Sequence, residues 1–467
     1  MTADEGERRP SDGEGGEDVT AISTTRRPVT GRPVPDDDVL DLLWTWIPRQ
    51  RWYPAKGTDA RADRVATVDL VDPAREAAVQ LHIFRLPSGA LLQVPTTIRA
   101  AGHQGPGVVG QVTSGTLVDG PQDPAFVRAW LAAADDDGVR LGGDLTGLRI
   151  LGGEQSNTSV VLPELRPPAI LKVFRGLTAG PNPDVDVPLA LARSGWSGVP
   201  RPLAWLAGTW PNENEESQGV GHLGVLSELV QGAQDGFELA CAYAGEGRDL
   251  AGPAHALGRT MAQMHHALRV ALPVGDLPAT RAPLGAVAEV ARLLRERAAA
   301  AAAEVPALAE RWPDIERVLT TVGAMSAVPP VQRVHGDFHL GQVLRSADAT
   351  WYVLDFEGEP QASASEKARP DLALRDVAGM LRSIDYAAAV GGAASEEWTA
   401  SARRALVEGY RSESHRLGDA PTDGSPGGLL RVLELDKAVY EVVYESRNRP
   451  DWVPIPLAGV DRLLGRG

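Results

Sequence analysis

The first half of the chain alternates hydrophobic and polar positions at the spacing of β-strands. Three segments, RVATVDLVD, AAVQLHIFRL and GALLQVPTTIRA, follow this pattern, and each is bounded by Gly, Pro or Asp. Because successive side chains of a strand point to opposite faces, they predict an antiparallel sheet. Two more strands are predicted in residues 145–176, where TSVVLPEL and PPAILKVF flank a turn, and another in LGVLSELVQG (223–232).

Helical periodicity appears early in the chain and dominates it after about residue 230. The segments DDDVLDLLWTWIP and DPAFVRAWLAAADD predict two helices among the strands. Later, ALGRTMAQMHHALRVAL, AVAEVARLLRERAAAAAAEV and LLRVLELDKAVYEVVYESRNRP repeat apolar residues every three to four positions. The pattern therefore predicts an α+β protein with a strand-rich first half and a helical second half.

Composition narrows the functional class. The 467 residues are 43% hydrophobic, enough for more than one core, and the net charge of −16 argues against nucleic acid or an anionic membrane as the main partner. With one cysteine, Cys241, the chain has no internal disulfide and no Cys-based zinc site. No apolar run of membrane-spanning length and no signal peptide is visible, so a cytoplasmic protein is expected.

Two short segments combine acidic residues with turns in a way that suits phosphoryl transfer. Asp337 lies in VHGDFHLGQVL, and Asp355 ends the short predicted strand TWYVLDF. This chemistry needs a carboxylate that accepts a proton from the nucleophile and oxygen ligands for Mg²⁺. It also uses a lysine on a strand to hold phosphates, and Lys172 in AILKVF lies in an apolar strand where an unpaired charge is costly.

A polar and aromatic stripe is predicted on the last long helix. Side chains with ring or hydrogen-bonding groups recur there every three to four residues, while Val439, Val442 and Val443 are assigned to the other face. Aromatic rings and charged groups suit the C–H faces and hydroxyls of a sugar. The stripe consists of Lys437, Tyr440, Glu441, Tyr444 and Arg447.

Taken together, the motifs resemble those of a known family. The pair His335 and Asp337, a carboxamide at Gln342 and an Asp-Phe pair at 355–356 resemble the catalytic and metal loops of aminoglycoside phosphotransferases, in the protein-kinase-like fold. The segments EQSNTSVV, HGDFHLGQVLR, LDFEGEP, LRDVAGMLRSIDYAA and YESRNRPDWVPIPL together resemble actinobacterial maltokinases, from RQRWYPAKG almost to the C-terminus.

The resemblance implies a bilobal protein-kinase-like fold with an extra N-terminal cap. Residues 1–35 are expected to form a disordered tail, residues 36–112 the cap subdomain and residues 113–230 the β-rich lobe that binds the nucleotide. Residues 231–467 are expected to form a helical lobe with the catalytic loop and the sugar site.

The resemblance also implies a role for each motif residue. Asp337 would be the catalytic base, Gln342 and Asp355 would bind Mg²⁺, and Lys172 would contact the α- and β-phosphates of ATP. The acidic partner of Lys172 would be Asp186 or Asp184. The loop EQSNTSVV would cover the phosphates through Ser156, Asn157 and Thr158, and LSELV would be the adenine hinge, with Glu228 and Val230. The sugar would contact His335, Lys437, Tyr440, Glu441, Tyr444 and Arg447.

The implied reaction is the transfer of the γ-phosphoryl group of Mg-ATP to the anomeric hydroxyl of maltose, for α-glucan and glycogen synthesis. A trehalose-maltose isomerase is a further expected partner. Two alternatives stay open: a related sugar kinase such as a glucosamine kinase, and a catalytically inactive kinase-like binding protein. An aminoglycoside-modifying enzyme is a weaker alternative.

Several of these residues also have simpler interpretations. His335 and His339 have the spacing of zinc ligands, but no third ligand follows, so His335 is expected to brace the loop through a backbone hydrogen bond. Glu357 and Glu359 are either metal ligands or parts of a solvated turn. One of the histidines of MAQMHHAL is expected to be satisfied inside a buried helix. The segment RWYPAKG (51–57) has no assigned role beyond packing or a cap.

Overall fold

The computed structural model describes residues 26–31, 37–56, 61–152, 156–212, 217–274, 286–325, 328–358, 369–419 and 426–466. The strands are β1 (Val29–Thr30), β2 (Asp63–Leu70), β3 (Ala78–Arg85), β4 (Leu91–Arg99), β5 (Val108–Val112), β6 (Gly115–Asp119), β7 (Asp135–Asp136), β8 (Gly142–Gly143), β9 (Arg149–Ile150), β10 (Thr158–Leu162), β11 (Leu165–Arg166), β12 (Ala169–Val173), β13 (Gly176–Leu177), β14 (Pro202–Pro211), β15 (Gln218–Glu228), β16 (Gln234–Asp235), β17 (Val343–Arg345) and β18 (Trp351–Val353). The helices are α1 (Asp37–Trp46), α2 (Pro124–Ala133), α3 (Pro183–Arg193), α4 (Gly236–Gly245), α5 (Ala251–Ala271), α6 (Ala286–Glu304), α7 (Pro306–Ala309), α8 (Trp312–Gly323), α9 (Leu374–Gly391), α10 (Glu396–Arg416), α11 (Pro426–Asn448) and α12 (Pro454–Leu464).

The N-terminal sheet is antiparallel, as the alternating pattern predicted. Its order is β2-β3-β4-β6-β5, and the short strand β13 pairs with β4. Helix α1 covers one face, where Val39, Leu43 and Phe84 are buried together. The boundary predicted at residue 112 falls between β5 and β6, which pair as a hairpin, so the sheet extends to Asp119.

A second sheet carries the strands on which the predicted chemistry depends. Its order is β1-β14-β15-β12-β10-β9, and helix α2 packs between the two sheets. Trp130 of α2 and Trp205 of β14 are buried in this shared core. Strand β1 pairs with β14, so the last part of the predicted tail, residues 26–31, has a defined structure; residues 1–25 and 32–35 lie outside the described ranges.

Helices dominate the rest of the chain, and a small sheet holds the loops between them. Helices α5 and α10 pack along each other, and α9 lies against α4 and α11. Strands β16, β17 and β18 form a three-stranded sheet. The loop with Asp337 leads into β17, and the loop with Asp355 follows β18. The α+β architecture and the helical C-terminal region are therefore confirmed.

Candidate active site

Lys172 is the centre of a cluster of carboxylates. It lies in the middle of β12, opposite Ser159 of β10 and Val225 of β15. The apolar neighbours Leu171 and Val173 are buried in the core, so the lysine points to the opposite face of the strand. The apolar strand predicted around Lys172 is therefore present, and its lysine faces away from the buried side chains of that strand.

Three carboxylates surround the ammonium group. Nζ forms a short ion pair with Asp184 of α3, and it lies 3.5 Å from Asp355 Oδ1 and 3.8 Å from Glu357 Oε1. Of the two candidate partners on α3, it is therefore Asp184 that pairs with Lys172. Asp186 lies elsewhere, with its Oδ2 3.9 Å from His222 Nδ1. Burial alone would lower the pKa of Lys172, but the three carboxylates raise it above its ordinary value.

The cluster has the donors of a divalent-cation site. Ligand oxygens of Asp184, Asp355 and Glu357 lie within 4.8 Å of one another. Gln342 lies next to them. Its side-chain Nε2 donates to Asp355 Oδ2 at 3.3 Å, and its backbone carbonyl accepts from Leu354 N–H at 2.9 Å. Mg²⁺ prefers carboxylate oxygens as ligands, and the cluster offers three carboxylates. One ammonium does not neutralise three carboxylates, so the remaining negative charge also favours a divalent cation. Glu359, the other candidate in this segment, lies outside the described residues.

Backbone strain coincides with this cluster. Asp355 has φ of 58°, in the left-handed region that residues other than glycine rarely adopt. Such strain concentrates at functional positions, where the surrounding structure maintains it. Here β18 ends at Val353, and the next residues turn sharply so that Asp355 faces Lys172.

The loop with Asp337 is anchored by a buried aspartate that sequence reasoning missed. Asp376, near the start of α9, accepts from His335 N–H at 2.8 Å and from Gly336 N–H at 3.0 Å. It also accepts from His265 Nε2 at 3.0 Å. Of the two histidines of MAQMHHAL, His265 is the buried one. Burial would raise the pKa of Asp376, but the hydrogen bonds with His265 and the loop lower it. The only sequence signal for this residue is its position in LRDVAGM, one of the segments that carry the resemblance.

His335 links the two loops and is not available to a sugar. Its ring is buried, stacks on Phe338 at 4.7 Å between ring centroids, and packs on Phe356 at 4.9 Å. Its Nε2 donates to the carbonyl of Leu354 at 2.8 Å. The expected brace is therefore present, and the sugar contact assigned to His335 is wrong because aromatic rings and backbone enclose the imidazole.

A cavity of about 400 Å³ opens beside the Asp337 loop. Helix α11 contributes Lys437, Tyr440 and Arg447 to its wall, and α6 contributes Glu304. Lys437 Nζ lies 3.9 Å from Asp337 Oδ1 and 4.9 Å from the centroid of the Tyr440 ring. The predicted stripe and the catalytic loop therefore meet at one cavity.

Two members of the stripe lie elsewhere. Glu441 does not line the cavity; its Oε2 accepts from the buried Arg382 of α9 at 2.8 Å. Tyr444 also lies off the wall and stacks on Tyr440 at 6.4 Å between ring centroids. Val443, assigned to the other face, does line the cavity. The stripe predicted from helical spacing was therefore too broad, because only one narrow face of α11 lines the cavity.

The expected nucleotide-binding segments border the lysine. Thr158 begins β10 directly opposite Val173, next to the pair formed by Ser159 and Lys172. Glu228 ends β15, and the next residue, Leu229, donates its N–H to Pro168 O at 2.8 Å. Val230 follows directly after Leu229, and its adenine-binding role stays a prediction. Glu154 and Gln155 of the loop lie outside the described residues.

Comparison with known proteins defines the class. Residues 46–123 match the maltokinase N-terminal cap domain, and residues 148–418 match the phosphotransferase enzyme family. The second match covers more than half of the chain. The chain belongs to the phosphotransferase enzyme family and carries a maltokinase-type cap, which confirms the resemblance to maltokinases in the aminoglycoside phosphotransferase superfamily.

The similar proteins are sugar kinases. A glucosamine kinase of Streptacidiphilus jiangxiensis is 34% identical over 68% of this chain and 74% of its own length. One from Mycolicibacterium smegmatis is 30% identical over 69% of this chain and 80% of its own length. A solved glucosamine kinase with glucosamine, ADP and inorganic phosphate has 27% identity and a TM-score of 0.62, covering 88% of this chain and 96% of that one. These neighbours confirm the kinase-like fold.

No helix within the described ranges is both long enough and apolar enough to cross a membrane.

Replacement of Asp376 by Asn should loosen the Asp337 loop. The amide presents an NH₂ group to donors that now face a carboxylate, so we expect the free energy of unfolding to fall by about 1–3 kcal/mol. Chemical denaturation measures the loss. Asp249→Asn is a matched control, since Asp249 is exposed and accepts one hydrogen bond from Ala251 N–H. Equal stability of the two variants would contradict the anchoring role.

Asp184 should give the stability of the protein a distinct pH dependence. Burial raises the pKa of Asp184 to about 7, against the opposing effect of Lys172. The folded state then holds a proton that the unfolded chain releases near pH 4, so this group makes the folded state less stable as the pH rises from about 4 to 7. Asp184→Asn removes the titration. The free energy of unfolding of the wild type minus that of the variant should therefore fall across this range, and a constant difference would exclude the raised pKa.

Proposed function

We propose that the chain is a Mg-ATP-dependent sugar kinase with maltose as acceptor. The observation that carries this proposal is the convergence of two sites. Lys172 Nζ and Asp355 Oδ1 lie 3.5 Å apart. The neighbouring loop contributes Gly336 and Phe338 to the wall of a cavity, and Lys437 of the same wall lies 3.9 Å from Asp337 Oδ1. Since His335 hydrogen-bonds to Leu354, next to Asp355, the acceptor and nucleotide sites share one rigid junction.

The nucleotide would lie along the β12 face. Lys172 would bind the α- and β-phosphates, while Ser156, Asn157 and Thr158 would cover them and the backbone of Glu228 and Val230 would bind adenine. Asp355, Gln342 and Glu357 are the candidate ligands for Mg²⁺, which when bound would neutralise phosphate charge. The three carboxylates around the lysine support this assignment.

Asp337 would act on the acceptor. Its carboxylate would orient the sugar hydroxyl and accept the hydroxyl proton as the oxygen attacks the γ-phosphorus, with ADP as leaving group. Lys437, 3.9 Å from the carboxylate, would hold it at the cavity and donate to a neighbouring sugar oxygen. Transfer to the anomeric hydroxyl of maltose would give maltose 1-phosphate and ADP.

The charges around the cavity favour a neutral sugar. Three of the carboxylates in its wall are already paired with arginines: Glu304 with Arg447 at 2.6 Å, and Asp436 and Asp371 with Arg375 at 2.8 and 2.7 Å. The fourth, Asp376, is paired with His265 at 3.0 Å. The ammonium of an amino sugar would compete with these pairs and would meet Lys437. The exposed ring of Tyr440 offers an apolar surface for the C–H face of a second glucose unit. A disaccharide matches both features.

Glucosamine is the second candidate acceptor, because the curated relatives and the solved structures described above are glucosamine kinases. The presence of Asp337, Asp355 and Lys172 in one arrangement argues against the third alternative, an inactive binding protein.

A panel of sugars separates these candidates. The protein is incubated with Mg-ATP and maltose, glucosamine, glucose or trehalose, and ADP release is measured for each sugar. The phosphate position of the product is then read by phosphorus and proton NMR. Maltose as the best substrate, phosphorylated at the anomeric oxygen, would support the proposal. If glucosamine were the preferred substrate, it would replace maltose as the proposed acceptor. ATP binding without transfer to any sugar would favour a catalytically inactive binding protein.

A further inference from the structure

A network of charged side chains joins helices α9, α10, α11 and α12 on a side of α11 that does not face the cavity. It contains three arginines and three acids, so its formal charges balance. None of the six is among the residues of the cavity wall. The members are Arg382 and Asp385 of α9, Arg403 of α10, Glu434 and Glu441 of α11, and Arg462 of α12.

Arg382 is the most enclosed member of the network, with none of its side chain exposed. Its Nε donates to Glu441 Oε2 at 2.8 Å, and its Nη1 forms a short ion pair with Asp385. The backbone of α12 closes the site, because a Cβ at Gly459 would overlap with the guanidinium of Arg382. A buried guanidinium is costly unless it is paired and hydrogen-bonded, so both carboxylates are needed to keep Arg382 in this position.

Glu434 gives α11 a second attachment to the same network. Arg403 Nη1 lies 3.1 Å from Asp385 Oδ1, and its Nη2 lies 2.7 Å from Glu434 Oε1. Arg462 Nη2 lies 2.8 Å from both of these acids. Because Glu434 and Glu441 are seven residues apart, they lie on one face of α11. Two attachments on one face, about two turns apart, fix the rotation of the helix about its axis.

The rotation of α11 decides which of its side chains reach the cavity. Lys437 precedes Glu441 by four residues, about one turn of the helix, and Tyr440 is the neighbour of Glu441 in the chain; both line the cavity. Lys437 Nζ lies 3.9 Å from Asp337 Oδ1. Burial raises the pKa of Glu441, and the charges of Arg382 and Lys437 oppose this rise, so the carboxylate is close to both cations. A chain of charges therefore leads from Arg382 through Glu441 and Lys437 to Asp337.

We propose that Arg382 is a positioning residue that sets the rotation of α11 and thereby places Lys437 and Tyr440 for the sugar. The guanidinium holds Glu441, and Glu441 holds the turn of the helix that carries the two cavity residues. This inference rests on the proposed function, because it requires the cavity to bind the acceptor. Since the ion pairs of Arg382 lie within the helical lobe, whereas Lys172 belongs to a strand of the second sheet, Arg382 should affect sugar affinity and leave ATP affinity unchanged.

Three variants of the full chain test the proposal: Arg382→Met, Glu441→Leu and the double variant. KM is measured for maltose, or for glucosamine if the panel prefers it, and Kd for Mg-ATP is measured by titration calorimetry without sugar. We expect KM for the sugar to rise roughly tenfold in each variant, with Kd for ATP within about twofold of the wild type. Because Arg382 acts through Glu441, the double variant should match the single variants, whereas independent effects would multiply to about a hundredfold.

Stability and positioning should separate in the double variant. Removing one partner of a buried ion pair leaves the other unpaired, so each single variant should have a lower Tm, and replacing both partners by apolar side chains should recover much of it. Asp385 keeps Arg403 and Arg462 as partners in the double variant. KM for the sugar should stay raised there, because α11 has lost one of its two attachments. A recovery of KM together with Tm would show that Arg382 is only structural, and this comparison holds even if Arg382→Met alone does not fold.

Arg311→Met is the matched control. Arg311 donates from Nε and Nη2 to Asp461 at 2.7 and 2.8 Å, which joins the segment before α8 to α12, and neither residue lines the cavity. This variant should lower Tm without changing KM for the sugar. The positioning role is overturned if Arg382→Met has the KM of the wild type, if the effects of the two substitutions multiply, or if Kd for ATP rises as much as KM for the sugar. An equal rise of KM in Arg311→Met would also overturn it, whereas a wild-type protein that phosphorylates no sugar would instead reject the proposed function.

Discussion

The Asp337→Asn variant is expected to lose about two to four orders of magnitude in kcat. The amide is nearly isosteric with the carboxylate but cannot accept the proton of the sugar hydroxyl. Lys437 Nζ, in the cavity wall, lies 3.9 Å from Asp337 Oδ1, so under the proposed function the substitution changes the chemistry at the acceptor oxygen. Steady-state kinetics with saturating Mg-ATP and the best sugar of the panel measures the effect.

The control separates catalysis from charge and stability. Asp348→Asn makes the same chemical change in the exposed turn between β17 and β18, where Asp348 forms hydrogen bonds with Ser346 and Thr350 of the same turn. This variant should retain full turnover, and the free energy of unfolding of both variants should stay within about 0.5 kcal/mol of that of the wild type. Near-normal turnover of Asp337→Asn would remove Asp337 from the role of base.

Lys172→Met should reduce kcat/KM for ATP by about two to three orders of magnitude, as expected when a charged donor that stabilises transferred charge is removed. The methionine fills the space of the lysine stem but leaves Asp184, Asp355 and Glu357 without the ammonium that they share. Since Lys172 lowers the pKa of Asp184, its loss should raise that pKa further, and Asp184 should then be neutral at physiological pH.

Lys56→Met serves as the reference, because Lys56 is exposed on the cap and the substitution is chemically identical. ATP binding and turnover are measured for both variants, together with their unfolding transitions. We expect Lys56→Met to match the wild type. If Lys172→Met kept its affinity and turnover while it remained folded, phosphate binding would have to be assigned to other residues.

Local pattern was sufficient for most elements, including the strand that carries Lys172 and the short strand that precedes Asp355. The strand alternation around Lys172 and the apolar approach to Asp355 both come from neighbouring residues in the chain, so their placement was predictable. The same is true of α1 and α2, which begin close to where the helical spacing begins. A residue whose role depends on its own strand or turn can be found in this way.

Residues whose partners are distant in the chain could not be placed. Asp376 anchors a loop 40 positions away from it, and nothing in its own helix indicates which backbone groups it will meet. Glu441 shares the spacing of the aromatic stripe, yet Arg382, 59 positions away, draws it out of the cavity wall. The helical period shows which residues lie on the same side of a helix. Which side faces a ligand depends on how the neighbouring helices pack against it.

By itself, the sequence determined the α+β class, the order of strands and helices, and the residues able to carry phosphoryl transfer, because these depend on spacing and side-chain chemistry along the chain. Only the tertiary structure decided that Asp184 rather than Asp186 meets Lys172, that the His335 ring is enclosed, and that Asp376 anchors the loop with Asp337. These are pairings between separate elements, and the packing of two sheets and a helical lobe sets their distances.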